Sequence, residues 1–543
     1  MTDYIRTTRA ANAHFMTISQ NSLPRRLALL LDHPDAELMA GGLKGIEKES
    51  LRISADGFIA QTPHPAVLGA ALTHPYITTD YSEALLEFIT PPFTSSQDTL
   101  AYLESIHQFV YDQKPDEMLL AASMPCGISG DDSVPIAEYG TSNIGRMKHV
   151  YRRGLGYRYG RTMQAIAGVH FNYSVPKPLW RLLHELEKSL LNLDQFISDA
   201  YFGLIRNLHR QGWLMLYLFG SSPAICKSFF KSRPQLMAGF DEFDGHTLYH
   251  PYATSLRMSD IGYKSENQAA LKIDYNSLSG YVESLGQAIA TPFPDYEKIG
   301  VKVDGEYRQL NGNILQIENE FYSTVRPKQI AHSGEKPTLA LKHRGVRYIE
   351  LRSLDLDLFC PIGIQLSTAH FVEAFILTCL CQDSPATTDS MRRTNNANQL
   401  AVAHRGREPG LMLETGTGAI SLKDWAGEIF TEMQPICALL DQDNAEKPYT
   451  AALQQQIQAV EDPGLTPSAQ ILRQMSEKNQ PFATFALKKS AQYKRCFRRQ
   501  KLDSEQTQTF LAMAELSHAR QQDIENSDKI TFDLFLQRYF AQK

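Results

Sequence analysis

The sequence predicts an α+β fold: an antiparallel sheet with one apolar and one ion-rich face, and an extensive helical layer packed on it. Two observations carry this expectation. Four separate stretches alternate apolar and polar residues with a period of two, and their polar sides share Glu, His, Asn and Arg. Beyond Cys360 the period becomes helical almost throughout, over 365–382, 388–402, 423–441, 448–460, 466–478 and, in pieces, 482–540.

The stretch Gly45–Arg52, GIEKESLR, sets Glu47 and Glu49 on one strand face, roughly 7 Å apart, while Ile46 and Lys48 point the other way. Neighbouring carboxylates are costly unless a cation sits between them; the alternative is a solvated Glu-Lys-Glu edge. Ala165–Ser174 sets Gly168, His170 and Asn172 against Val169, Phe171 and Tyr173. Ile314–Tyr322 sets Gln316, Glu318, Glu320 and Tyr322 against Leu315, Ile317 and Phe321. Val346–Ser353 sets Tyr348, Glu350 and Arg352 against Ile349 and Leu351. Together they describe a sheet whose polar face is an ion-rich site, with His170 a candidate ligand.

In chain order, residues 1–20 are unpatterned and expected to be loosely held. A short amphipathic helix follows, interrupted at Pro34. In Ile77–Thr90 a helix would align Asp80, Glu83 and Glu87, whereas a strand over 84–89 would place Leu85, Glu87 and Ile89 together; either delivers Glu87 to a site. Residues 96–113 are predicted helical. The long stretch after them, rich in Gly, Tyr and Arg, is predicted to be a loop, either functional or a plain surface loop with scattered charges. Its Arg146, Lys148, Arg152, Arg153, Arg158 and Arg161 suit an anionic small molecule. Trp180–Arg210 is predicted helical with a buried stripe of Leu182, Leu186, Leu190, Leu193 and Ile197. Asn276–Ile289 is predicted to be a helix capped by Asn276 or Ser277. Three segments are expected: a helical lead-in over 1–40, a catalytic sheet unit over 41–360 and a helical region over 361–543.

A net charge of −6 argues against a general nucleic-acid binder, and the basic run from Lys488 to Lys501 is read as a solvated helix face. Seven cysteines are scattered without metal-ligand spacing, and no stretch reaches the ~20 apolar residues needed to span a bilayer. A cytoplasmic chain with reduced thiols is expected.

There is no GxxxxGK[ST], no HExxH and no CxxC pair, and Gly416-Thr-Gly418 lacks the context of a dinucleotide fingerprint. What remains is a hard-cation site of carboxylates with one histidine. Such a site points to Mg²⁺ or Mn²⁺ holding nucleotide phosphates, and to ATP-dependent activation of a carboxylate for attack by an amine. Arg352, two residues beyond Glu350 on the same face, could stabilise the transferring phosphoryl group.

GIEKESLR, ITTDYSEALLEFITP, YGTSNIGRMKHVYRRGL, IAGVHFNYS, YATSLRMSDIGY, LQIENEFYSTVRPK and YIELRSLD closely resemble the proteobacterial glutamate–cysteine ligase (γ-glutamylcysteine synthetase) family, strongly from about residue 40 to 365. The resemblance implies a curved antiparallel sheet of the glutamine-synthetase-like type. It also implies the reaction: ATP phosphorylates the γ-carboxylate of L-glutamate, and the amine of L-cysteine captures it, with glutathione expected to inhibit. It implies one Mg²⁺ among Glu47, His170 and Glu350, and a second among Glu49, Asp80 and Glu87. A third would be shared by Glu47 and Glu350. Arg352 takes the phosphoryl-stabilising role, Arg257 and Asn172 hold glutamate, and Tyr151, Leu155, Tyr263 and Tyr322 form the cysteine pocket with Tyr81 close by. The alternatives are a related ligase with another amine acceptor, or a non-catalytic nucleotide- or glutathione-binding relative.

Overall fold

The structure, a computed structural model, describes residues 24–31, 33–262 and 271–542. The expectation for residues 1–20 therefore lies outside the described residues, as does Tyr263.

The alternating stretches become the centre of a seven-stranded sheet. Its strands are β1 (Leu43–Ile53), β2 (Ile77–Thr79), β3 (Leu85–Ile89), β4 (Met118–Leu119), β5 (Val169–Ser174), β6 (Val325–Lys328) and β7 (Tyr348–Leu354). The order is β6-β7-β5-β1-β3-β2, with β4 beside the end of β1, and every pairing is antiparallel. The Ile77–Thr90 stretch thus resolves as two strands. Ile314–Tyr322 does not form one: it is a loop ending in a single 3-10 turn over Glu318–Glu320. Its alternation reflects polar side chains used internally. Gln316 Oε1 accepts from Leu310 N at 2.9 Å, and Glu320 pairs with Arg158 at 2.8 Å.

The other face of β1 carries buried cations as well as Ile46. Lys44 pairs with Glu373 at 2.7 Å, and Arg52 with Glu117 at 2.7 Å. Lys48 lies 2.8 Å from both Ser50 Oγ and His107 Nε2. Burial pushes the Lys48 amine down to about 7, with Cys360 opposing the shift. Cations in a desolvated interior need such partners, so these contacts fix the helices against the sheet in one orientation. The helices involved are α1 (Ser96–Gln113), capped by Ser95 Oγ and bearing His107, and the C-terminal helix that carries Glu373, Leu366–Cys381.

The stretch expected to be a loop contains α2 (Asn143–Tyr159), capped by Ser142. Its glycines hid it, because Gly weakens helix propensity by about 1 kcal/mol. Here they permit close packing. A Cβ on Gly154 would lie 2.3 Å from Gln316 Oε1, and one on Gly156 would lie 2.6 Å from the Tyr81 hydroxyl. Trp180–Arg210 is two helices, Lys177–Leu186 and Leu193–Gln211, and Leu190 in the break between them is fully exposed rather than part of a stripe. The helix predicted over Asn276–Ile289 runs Leu278–Ala290, with Ser277 as its cap.

The C-terminal third is helical over the predicted ranges, joined by a small hairpin of Met412–Glu414 and Ala419–Ser421. One hydrophobic core runs from Leu27 through the sheet to Phe510 and crosses the boundary expected at 360. The last helix, α3 (Phe532–Ala541), forms a second cluster in which Phe532, Leu536 and Tyr539 pack with Met147 and Val150 of α2. The C-terminus thereby braces a helix that reaches the site.

Candidate active site

Strand register gathers the predicted acids. Glu47 of β1 stands opposite His170 of β5, and Glu49 opposite Glu87 of β3. On the far side of β5, Asn172 stands opposite Glu350 of β7, which in turn faces Arg326 of β6. One sheet face therefore carries Glu87, Glu47, Glu49, His170, Asn172, Glu350 and Arg352.

The tightest group is Glu47, Glu87 and His170, whose ligand atoms lie within 4.8 Å of one another. This trio cuts across the grouping implied by the resemblance, which placed Glu87 with Glu49 and Asp80. Glu47 Oε2 is 3.2 Å from His170 Nδ1, Glu350 Oε1 is 3.8 Å from the same nitrogen, and Glu49 Oε1 is 3.8 Å from Nε2. The Asp80 carboxylate faces Arg152 at 3.8 Å and acts electrostatically on Glu49 and Glu87.

Crowding shows in the protonation. Burial, then the charge of Asp80, pushes Glu49 up to about 8 against the pull of Arg257 and Arg352. Glu87 is pushed well above the carboxylate range by burial and by Glu47, Asp80 and Glu49. Burial and the Arg352 charge push His170 down, which keeps its imidazole neutral and able to ligate. Glu350 is the exception. Burial pushes it up, yet Arg352, Lys328 and His170 together carry it well below the ordinary value.

These residues fit a divalent cation. Two carboxyls, Glu49 and Glu87, are pushed up by crowding that a cation would relieve, and the Asn172 Oδ1 oxygen is buried without a hydrogen-bond donor among the described residues. Oxygen donors with one imidazole suit a hard ion such as Mg²⁺ or Mn²⁺. Asn172 Nδ2 meanwhile donates to Glu47 Oε1 at 3.0 Å.

Beside this cluster lies the cationic edge. Arg352 Nη1 donates to Glu350 Oε1 at 2.9 Å, and Lys328 Nζ lies 3.2 Å from Glu350 Oε2. Lys328 was missed in the sequence. Its signal was available, since Arg326 and Lys328 are two apart on one strand and share a face.

Arg352 also borders a small cleft of about 100 Å³ whose walls include Tyr81, Tyr151, Leu155 and Tyr322, four of the five predicted pocket residues; Met163 and Arg326 join them. A larger and mostly apolar cavity of about 570 Å³ lies behind Tyr322, but the clustered acids are not part of it.

Arg257, expected from the resemblance to hold glutamate, lies behind the sheet face. It has no exposed surface, and its guanidinium lies under the backbone of Gly168, where a Cβ would come within 2.1 Å. It donates to the carbonyl of Arg352 at 3.1 Å and faces Asp355 at 3.8 Å. In this arrangement it braces β7 and lends charge to Glu49. Asp355 was invisible in the sequence, a lone Asp after a strand. It accepts from Ser221 N at 2.8 Å, Ser222 Oγ at 2.6 Å and Ser255 Oγ at 2.8 Å.

Comparison with known proteins gives a consistent result. The glutamate-cysteine ligase family profile matches residues 27–402. A glutamate–cysteine ligase of Pseudomonas paraeruginosa is 49% identical over 519 residues, covering 96% of this chain and 98% of that protein. One from Azotobacter vinelandii is 48% identical over 520 residues, covering 95% and 98%. Among solved structures, a glutamate–cysteine ligase of Francisella tularensis in complex with AMP superposes with a TM-score of 0.85 at 39% identity, covering 92% of this chain and 97% of that one. A bifunctional glutathione synthetase of Pasteurella multocida gives a TM-score of 0.67 at 25% identity, covering 85% of this chain and 54% of that one.

Proposed function

This chain belongs to the glutamate–cysteine ligase family, and from that premise we propose how its residues divide the work of the reaction. The reaction is the ATP-dependent joining of the γ-carboxylate of L-glutamate to the amine of L-cysteine, the first step of glutathione synthesis. A γ-carboxylate oxygen attacks the terminal phosphorus of ATP, and the bond to the bridging oxygen breaks, releasing ADP. The cysteine amine then attacks the acyl carbon of γ-glutamyl phosphate, losing a proton as inorganic phosphate departs.

The observation that carries the assignment is the convergence of Glu47, Glu87 and His170 next to the Arg352–Glu350 pair. Glu47, Glu49, Glu87, His170 and Glu350 would hold Mg²⁺ or Mn²⁺, with Asp80 at the margin. Bound there, the metal neutralises the phosphate charge and orients the triphosphate. Glu350 holds Arg352 by a charge-assisted bond, so the guanidinium is fixed before charge develops on the transferring group. Lys328 adds a second cation at the same carboxylate. Asn172 fixes Glu47 and, with its free oxygen, borders the glutamate position. Tyr81, Tyr151, Leu155 and Tyr322 enclose the acceptor and exclude water. Glutathione, which contains the γ-glutamylcysteine unit, is the expected inhibitor of this site.

All seven cysteines are free thiols, which suits a cytoplasmic setting, and among the described residues no helix is long and apolar enough to cross a membrane. The test is ADP release with ATP and L-glutamate, comparing L-cysteine, L-2-aminobutyrate, L-alanine and ethylamine as acceptors. Acceptor-dependent release led by L-cysteine supports the assignment. Preference for ethylamine favours a related ligase with another acceptor.

A further inference from the structure

The acceptor cleft is lined by three arginines, and two of them already have their charge answered. Arg352 is paired with Glu350 at 2.9 Å. Arg152 faces the Asp80 carboxylate at 3.8 Å, donates to the carbonyls of Asp80 and Lys148, and stacks over the Tyr139 ring at 4.7 Å. The cleft's other acid, Glu320, is taken by Arg158 and Tyr159, each at 2.8 Å. Arg326 is different. Half-buried on β6, it has no carboxylate within ion-pairing distance among the described residues. Its hydrogen bonds among the described residues use one nitrogen, Nη2, which donates to the carbonyls of Asn319 at 3.0 Å and Phe321 at 2.5 Å. Those two bonds aim the guanidinium and leave it without a close ion pair, although its charge acts on Glu350 from across the strand pair.

Position adds to charge. Arg326 stands opposite Glu350, so Arg326 and Arg352 are diagonal neighbours on paired strands, roughly 7–8 Å apart at their Cβ atoms. An acceptor amine attacking an acyl group beside Arg352 carries its α-carboxylate one carbon away, within reach of the next cation along that wall. Its side chain then points to Leu155, Met163 and Tyr81. Arginine presents the planar fork that matches a carboxylate.

We propose that Arg326 is the specificity-determining anchor for the α-carboxylate of the acceptor, the group that makes this enzyme take amino acids in preference to simple amines. The inference rests on the ligase assignment above.

The test pairs two acceptors, L-2-aminobutyrate and propylamine, that differ only by that carboxylate. Each is assayed for ADP release with wild type, Arg326→Met and Arg326→Lys. In Arg326→Met the KM for L-2-aminobutyrate should rise about tenfold or more, the loss expected for a charge-assisted contact. Its kcat should stay within about threefold, and turnover of propylamine should be unchanged. Arg326→Lys keeps the charge without the fork and should recover part of the loss. An unchanged KM for L-2-aminobutyrate, an equal fall for both acceptors, or an effect confined to ATP or L-glutamate overturns the proposal. Failure of the underlying assignment looks different: wild type itself would then show no acceptor-dependent ADP release.

Discussion

Glu49 and Glu87 face each other directly across β1 and β3, and both carboxyls are pushed far above the ordinary range. A sheet does not place two acids in that register for stability. The pair costs the fold its charge separation and supplies two oxygens where a cation can replace protons.

Thermal stability should therefore respond to pH in an unusual direction. Between the ordinary Glu value of 4.5 and about 8, the folded chain holds a proton at Glu49 that the unfolded chain has released. The folded state binds more protons in that window, so this contribution is present below it and is lost as pH rises through about 8. Differential scanning fluorimetry without metal should show the Tm contribution falling across this range. Saturating Mg²⁺ should flatten the slope, because the ion takes the place of the proton.

Glu350→Gln removes a carboxylate whose charge is fixed by Arg352 and Lys328. ADP release should fall at least about a hundredfold, more than the loss typical of an outer partner of a metal. Near-wild-type turnover would remove Glu350 from the site.

Arg352→Met should lower kcat by about two to three orders of magnitude, the cost of one preorganised donor to developing charge, while KM for L-cysteine changes little. Steady-state kinetics separates the two terms.

Gly154→Ala would normally stabilise a helix by about 1 kcal/mol. In α2 it should destabilise instead, by about 1–3 kcal/mol, because the new methyl meets Gln316 at 2.3 Å. Denaturant unfolding of the variant measures the sign.

The sheet was legible because β5 and β7 alternate apolar and polar residues and β1 sets Glu47 and Glu49 on one side, groups with no core use. The acids, His170, Arg352 and the tyrosines of the cleft followed from that pattern and from the family resemblance. Other parts were hidden for physical reasons. Gly145, Gly154 and Gly156 read as loop residues, but they are the contacts that let α2 approach the site. Gln316 and Glu320 mimicked a strand because buried loops recruit polar side chains as internal partners. The register across β1, β3 and β5 pairs residues about forty and about 120 positions apart and leaves no local mark. Asp355 and the burial of Arg257 arise from packing behind β7, where one Asp and three serines are ordinary in sequence.

The most direct test of the central claim is the number of Mn²⁺ ions bound per chain in the presence of ADP, read from the paramagnetic resonance of free Mn²⁺. Wild type should bind ions that compete with Mg²⁺, and Glu47→Gln/Glu87→Gln should lose at least one while keeping its fold by circular dichroism. Identical stoichiometry and affinity in the double variant would contradict a metal site on this sheet face.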